Sequence, residues 1–434
     1  MISVICTLLS LAIVSQASAV FERRNMTFDV PNAVLGQFSS AKFTNKASAI
    51  SRLEATLGSG KVAYQGDTRY GATIARTWTQ QLKIWPEAIV YPATANDVST
   101  IMQFYSAAHT LWGNDGFAFM AGGHADFGGA QSPSVIIDLY GMGKTEFATD
   151  PAHAVANDST TWPILKVGGG ADGGGPVAAL DGTGWAFLGP RGNTIGVGGF
   201  VLGGGICWQT SRYGVAADSL VGLEVVLING TIVYANPYNE YSDLFWAGTG
   251  AGWVGVGVVT NFYSQAYPDP GKIITGVITW TEAQATQVFQ EATDFFSHNT
   301  DPDVAPSLMY FYKSPTAPTA LLPVGERQFT IQLNAVAFGG DMGKFNSTYG
   351  QFYSNASSIT FQTWTSKSIN QFLLPSYPLG FNRIYYGKSH TNSTEDLYKQ
   401  TFSIYKDTVN GMIARGEDPG HTLWADQCKS FGSR

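Results

Sequence analysis

The residues best placed for chemistry lie in Phe119-Met-Ala-Gly-Gly-His-Ala-Asp-Phe-Gly-Gly129. A β-like run, Phe117 to Met120, leads in, and the side chains then vanish at Gly122 and Gly123. Paired glycines let a backbone turn tightly and bring its N–H groups close to an anionic ligand. His124 stands directly behind them. A second glycine-rich stretch of similar character runs from Thr194 to Asp218. Two such segments, the first carrying a histidine, point to a bound phosphate-bearing cofactor. Gly-Gly-His taken alone reads more readily as a tight turn.

The elements around the first turn have clear signals. Ala88-Ile-Val-Tyr91 reads as a strand stopped by Pro92. Thr94 can cap the helix that follows, with Asp97 three residues on. Val98, Ile101, Met102 and Tyr105 give that helix an apolar face at i, i+3, i+4, i+7. Phe117 to Met120 and Val135 to Leu139 are further strands. The order strand, helix, strand, glycine turn, strand is an α+β unit with a ligand loop at a strand end.

Val167-Gly-Gly-Gly-Ala-Asp-Gly-Gly-Gly175 reads as a flexible surface loop. In Thr194-Ile-Gly-Val-Gly-Gly-Phe-Val-Leu-Gly-Gly-Gly205 apolar residues separate the glycines, which suits backbone packed against a flat ligand. Leu223 to Ile228 and Thr231 to Tyr234 form a hairpin about Asn229-Gly230. Val256 to Phe262 is another strand. Gly250-Ala-Gly-Trp-Val-Gly255 matches the dinucleotide fingerprint, but a helix end precedes it and a strand follows, the reverse of the required order.

The glycine clusters end after Pro268-Asp-Pro270, which marks a domain boundary. Strands are expected over Lys272 to Trp280, Ser307 to Tyr312, the alternating Phe329-to-Ala335 run and Ser358 to Trp364. Helices are expected over Glu282 to His298, Met342 to Ser354, and a long segment capped by Ser393. This is an antiparallel sheet with helices on one face.

The chain has 434 residues, a net charge of −7 and no basic run, which argues against a nucleic-acid partner. Met1 to Ala19 is uncharged and apolar, ends in Ala17-Ser-Ala19, and reads as a secretory signal peptide. No later segment is long and apolar enough to span a bilayer, so the cleaved protein is expected to be secreted and free of membrane. Asn25, Asn157, Asn229, Asn346, Asn355 and Asn392 each begin an Asn-x-Ser/Thr sequon, as a secreted glycoprotein would. Beyond Cys6 of the signal, only Cys207 and Cys428 remain, too few for a disulfide scaffold or a zinc site. Cys207 reads as a buried small residue.

Together these segments resemble the secreted fungal flavoproteins of the vanillyl-alcohol-oxidase/PCMH class, in the berberine-bridge-enzyme-like branch. The resemblance runs in order from Trp78 to Tyr267. It comprises Trp78-Thr-Gln-Gln81 with Trp85-Pro-Glu-Ala-Ile-Val-Tyr-Pro92, Ala121-Gly-Gly-His-Ala125, Gly196-Val-Gly-Gly199, Gly203-Gly-Gly205, Arg212-Tyr-Gly214 and Ala217-Asp218. Glu224-Val-Val-Leu227, Asn229-Gly230, Leu244-Phe-Trp246 and Gly257-Val-Val-Thr260 complete it. The resemblance implies a two-lobed PCMH-type FAD-binding domain over residues 81–267, preceded by an N-terminal arm over 20–80. A substrate domain then follows over 268–434. FAD would lie between the lobes, its pyrophosphate on Gly122, Gly123 and His124. Ala121, Ala125, Ile195, Gly196, Gly198, Gly199, Gly203, Gly204, Gly205, Tyr213, Gly214, Ala217, Asp218 and Val259 would contribute to the same site.

His124 would carry a covalent bond to the flavin. Bicovalent members add a cysteine where this chain has Gly192, so a single link is expected. The implied chemistry is hydride transfer from a small alcohol, sugar or amine, with O2 as electron acceptor and H2O2 as product. Tyr310, Tyr312, Tyr385 and Tyr386 are candidate bases by residue type alone.

The family's C-terminal segment carries an aromatic-Tyr-Gly stretch, a helix and a Tyr-Asp-Pro turn, and none of these follows the long helix here. Tyr385-Tyr-Gly387 precedes that helix. The expectation is therefore a missing berberine-type segment, from a truncated or mis-spliced gene. A catalytically impaired flavin-binding relic is the alternative function.

Overall fold

The computed structural model describes residues 45–112, 116–125, 128–148, 162–251, 255, 257–313, 323–364, 394–419 and 423–426. Its first lobe contains α1 (Lys46–Leu57), β1 (Val62–Ala63), α2 (Thr68–Ala75), β2 (Ala88–Val90), α3 (Ala95–Trp112), β3 (Phe117–Met120) and β4 (Val135–Asp138). The sheet order is β1-β2-β4-β3, with β2, β4 and β3 parallel and β1 antiparallel at the edge. Strands β2 and β4 are buried along their whole length, as parallel strands covered on both faces must be. Ala88, Val90, Val135 and Ile137 pack under α1 and α3, whereas Ile89 and Ile136 pack against Tyr70 and Ile74 of α2.

Helix α3 begins where Thr94 and Asp97 place it. Thr94 Oγ1 accepts the Asp97 N–H at 3.1 Å, and Asp97 Oδ2 accepts the N–H groups of Ala93 and Thr94 at 2.8 and 3.1 Å. From Asn45 onward the expected N-terminal arm is integral to this lobe. Asn45 caps α1, Asp67 caps α2, and Ala49, Ile50 and Leu53 enter the same core as α3.

The second lobe contains β5 (Thr145–Phe147), β6 (Ile164–Gly168), α4 (Gly174–Leu180), β7 (Trp185–Ala186), α5 (Val197–Leu202), α6 (Thr210–Tyr213), β8 (Leu220–Leu227), β9 (Ile232–Ala235), α7 (Ser242–Gly248), β10 (Gly257–Gln265) and β11 (Tyr267–Pro268). Its antiparallel sheet has the order β5-β6-β10-β8-β9, and β7 pairs with β11. The Asn229-Gly230 turn joins β8 to β9, with Gly230 at φ +84°. That turn docks on the first lobe, where Ser99 Oγ of α3 donates to Gly230 O at 2.5 Å. Helix α7 precedes and β10 follows the fingerprint-like Gly250–Gly255, so the order excludes a dinucleotide turn there.

The remaining elements are β12 (Ile273–Thr281), α8 (Ala285–His298), β13 (Ser307–Lys313), β14 (Gln328–Phe338), α9 (Met342–Tyr349), β15 (Ser358–Trp364), α10 (Glu395–Ala414) and β16 (Leu423–Asp426). They build an antiparallel sheet of order β15-β12-β14-β13-β16. Ile274, Ile278, Trp280, Leu308, Tyr310, Ile331, Leu333, Ala335 and Ala337 alternate along their strands onto one face. There they meet Phe289 of α8, Phe345 of α9, and Tyr398 and Phe402 of α10. Burying each such aromatic is worth about 1.5–3 kcal/mol. The cap of α10 is Thr394, whose side chain accepts the Leu397 N–H at 3.1 Å, in place of Ser393, which lies outside the described residues. The architecture is α+β, two lobes followed by an antiparallel sheet with helices on one face.

Candidate cofactor site

The two glycine segments meet backbone to backbone. A Cβ on Gly122 would lie 2.2 Å from Gly196 N, and one on Gly196 would lie 2.3 Å from Gly122 N. Neither distance is compatible with a side chain, so glycine at both positions is a packing requirement. Gly123 has φ +77°, and a Cβ there would also meet Arg76 O at 2.6 Å. Thr194, two residues before Gly196, reaches the histidine, its Oγ1 3.0 Å from His124 Nε2. The imidazole stacks on Trp78, with ring centroids 4.9 Å apart. His124 is therefore half-buried and held in orientation from two sides.

The expected flexible loop at 167–175 is instead part of this junction. Val167 to Ala171 and Gly173 are buried. A Cβ on Gly168 would sit 1.8 Å from Met142 O, and one on Gly170 would sit 1.6 Å from Leu139 O. Gly173 N donates to Ile195 O at 3.0 Å, Gly174 N to Asn193 O at 2.9 Å, and Val197 N to Ala171 O at 2.7 Å. Consecutive glycines have the same composition whether a loop is loose or its backbone is in close contact. Here the second case holds.

The other expected residues form layers behind the junction. A Cβ on Gly198 would meet Gly169 O at 2.7 Å, and one on Gly169 would meet Val259 O at 2.2 Å, so Val259 lies one layer beneath α5. Ala216 N and Ala217 N donate to Gly205 O and Gly204 O at 2.8 and 2.9 Å, and Gly203 closes α5. Asp218 accepts the Val215 N–H at 2.8 Å, which pins the turn around Gly214 (φ +85°). Tyr213 packs on Tyr267 at 4.2 Å between centroids. Thus Ala121 to His124 converge with Ile195, Gly196 and Gly198. Gly203 to Gly205 with Tyr213, Gly214, Ala217 and Asp218 brace the far end of α5. Ala125 follows the histidine and is half-buried, and Gly192 is buried at the turn leading to Thr194.

Gly199 differs from its neighbours. It is exposed, and among the described residues outside its own helix a Cβ there would meet no atom within 4 Å. Packing among the described residues does not demand this glycine. A ligand lying against α5 would.

Sequence reasoning missed Arg76 and Asp138, which buttress the histidine turn. Asp138 closes β4, is buried, and forms an ion pair with Arg76 Nη2. Thr73 Oγ1 donates to Asp138 Oδ2 at 2.6 Å, and Arg76 Nη1 to Ala121 O at 3.4 Å. The guanidinium also covers the Tyr140 ring at 4.4 Å. Burial first, then the Asp172 carboxylate bonded to it at 3.0 Å, push the Tyr140 phenol above its ordinary pKa. The partners are far apart in sequence, and no local pattern marks them.

Two candidate bases lie on the helix-covered face of the sheet. Tyr310 is fully buried among Phe289, Phe402 and Tyr405 under the helices, its hydroxyl 3.4 Å from Thr401 Oγ1. Tyr312 shares that face and donates to Val324 O at 2.8 Å. Tyr385 and Tyr386 lie outside the described residues. Cys207 is buried with Sγ 3.2 Å from Thr210 Oγ1, as a small core residue. A cleft lined by Cys207, Trp208, Trp185, Leu180 and Phe338 does not include His124 in its lining.

Residues 86–236 match the FAD binding domain family. An FAD-dependent monooxygenase of Emericella nidulans, sdcF, is 24% identical over 82% of this chain and 70% of its own length. The (R)-6-hydroxynicotine oxidase of Paenarthrobacter nicotinovorans is 30% identical over 51% of this chain, and the match spans 44% of the oxidase. Among solved structures, 6-hydroxy-D-nicotine oxidase of Arthrobacter nicotinovorans superposes with TM-score 0.60 at 22% identity, covering 75% of this chain and 66% of that one. The berberine-bridge-like protein 1 of Physcomitrella patens gives TM-score 0.59 at 18% identity, covering 76% and 65%. The chain thus carries an FAD binding domain and the vanillyl-alcohol-oxidase/PCMH-type fold, with berberine-bridge-enzyme-like structural neighbours. The two curated relatives are FAD-dependent or oxidase enzymes, and the chain spans 70% and 44% of their lengths.

Proposed function

We propose that the protein is a secreted FAD-dependent oxidase acting on a small organic substrate, an alcohol, sugar or amine. The observation that supports this most is the bare-backbone junction of Gly122 with Gly196, which presents His124 beside α5. Bound FAD would supply hydride acceptance and reoxidation by O2 with release of H2O2. The donor set suits it. Glycine N–H groups can approach a pyrophosphate, and Gly199 leaves open the space that a ligand against α5 needs. His124 is the proposed single covalent attachment point, oriented by Thr194 and Trp78. The two-sided restraint keeps the imidazole in one rotamer, which an attachment point requires.

Secretion and N-glycosylation belong to the same proposal. Asn346 and Asn355 are exposed, and Asn229 sits on the β8–β9 turn. Asn25, Asn157 and Asn392 lie outside the described residues, as does the signal segment. Among the described residues no helix is long and apolar enough to cross a membrane.

The test is H2O2 release across a panel of alcohols, sugars and amines, with anaerobic bleaching of the flavin band as a second readout. Bleaching with peroxide release supports an oxidase. Bleaching without peroxide assigns a different acceptor. A flavin that no member of the panel bleaches counts against the proposed substrate classes.

A further inference from the structure

The β12–β16 sheet has two faces in different company. One lies under α8, α9 and α10. The other carries Met309, Phe311 and Lys313 of β13 and Thr330, Gln332 and Asn334 of β14, with Met309 opposite Gln332 and Phe311 opposite Thr330. Further along this face, Val336, Phe338 and Ile273 close against Trp208 of the second lobe. An ion pair at 2.5 Å between Arg212 and Asp303 pins the same junction. Among the described residues no helix covers this face, and its Ile273–Phe338 end meets the second lobe.

A hydrogen-bond ladder runs along it. Lys313 Nζ donates to Gln332 Oε1 at 2.8 Å, Gln332 Nε2 to Asn334 Oδ1 at 2.8 Å, and Asn334 Nδ2 to Met309 Sδ at 3.2 Å. Every link donates away from the lysine, which fixes the orientation of both amides. The ammonium also lies 3.9 Å from the Phe311 ring centroid. Among the described residues no carboxylate pairs with Lys313. On adjoining elements, Arg327 is taken by Asp418 at 2.6 Å, Glu326 lies in the turn before β14, and Tyr312 points to the helix face. Asp426 of β16 stands in register with Leu308, at the other end of β13. Burial pulls Lys313 down to about 8.

A half-buried ammonium with donors to spare, the Phe311 ring beside it and, among the described residues, no counter-charge is built for an anion with an apolar body. We propose that Lys313, oriented by the Gln332–Asn334 ladder, anchors a carboxylate or phenolate of a small, otherwise apolar substrate on this face. This rests on the oxidoreductase reading and names the substrate class of that same site.

The experiment uses the full chain with its flavin and two probes, benzoate and the neutral benzamide, followed by calorimetry from pH 6.5 to 9.5. Benzoate stays anionic throughout, whereas Lys313 is charged below about 8 and neutral above it. Benzoate affinity is expected to be full at low pH and to fall about tenfold or more as pH rises through that value. Benzamide should bind weakly and without pH dependence. Lys313→Met should abolish the difference between the probes, and Lys313→Arg should restore it without the transition. Equal treatment of the two probes by the wild-type chain, or a benzoate affinity flat in pH, overturns the proposal even where Lys313→Met does not fold. A chain that holds no FAD yet binds benzoate through Lys313 refutes the oxidoreductase reading and leaves the anchor standing.

Discussion

Gly199 separates a fold requirement from a ligand requirement. It is the third residue of α5, and a Cβ there meets no atom of the described residues outside its own helix within 4 Å. Gly199→Ala should therefore leave the apoprotein as stable as wild type, or more stable by about 0.5–1 kcal/mol through helix propensity. If FAD lies against α5, the new methyl must intrude on it. Overpacking of that kind costs about 1–3 kcal/mol, which is roughly a 5- to 150-fold weaker Kd. Gly196→Ala is the contrast. Its Cβ would fall 2.3 Å from Gly122 N and 3.0 Å from the Ala121 Cβ, so the fold itself must shift. That variant should lose about 1–3 kcal/mol of stability as well as FAD. The assay is thermal unfolding of the apoprotein beside FAD titration by flavin fluorescence quenching. Wild-type FAD affinity in a folded Gly199→Ala protein would refute the placement of FAD on α5.

Four further outcomes follow from the same geometry. Thr194→Val removes the hydroxyl at His124 Nε2 and should lower the covalently attached fraction of flavin, read as colour retained by acid-precipitated protein, while non-covalent FAD still binds. Asp138→Asn strips the buried counter-charge of Arg76 and should cost about 3 kcal/mol or more, measured by chemical denaturation. Tyr310→Phe should change kcat by less than about 1 kcal/mol in barrier, because its hydroxyl faces Thr401 under the helices. Peptide-N-glycosidase treatment of protein secreted by a eukaryotic host should shift its mass, with Asn346→Gln and Asn355→Gln each removing part of the shift.

The elements with local signals were legible in the sequence. Thr94 with Asp97 marked the start of α3, Asn229-Gly230 marked the β8–β9 turn, and the alternation at Phe329 to Ala335 marked the half-buried β14. Each depends on neighbours a few residues away. What failed depends on distant partners. Gly168 and Gly170 are glycine because Met142 O and Leu139 O occupy the space of a Cβ, and composition alone gives a floppy loop the same appearance. Arg76 and Asp138 carry no motif of their own. Tyr310 and Lys313 lie on opposite faces of one strand, as their odd spacing requires, but only the tertiary fold shows which face the helices cover. The Gly-Gly-His turn was readable as a tight turn at a strand end, whereas its contact with Gly196 required the fold.

The most direct test of the central claim is the absorption spectrum of the purified full chain, recorded before and after acid precipitation. The flavin band should be present in the folded protein, remain with the precipitate of the wild-type chain, and pass to the supernatant for His124→Ala. A folded chain that shows no flavin band, even after incubation with FAD, would contradict the account at its root. Flavin that leaves the wild-type chain on precipitation would contradict only the His124 attachment.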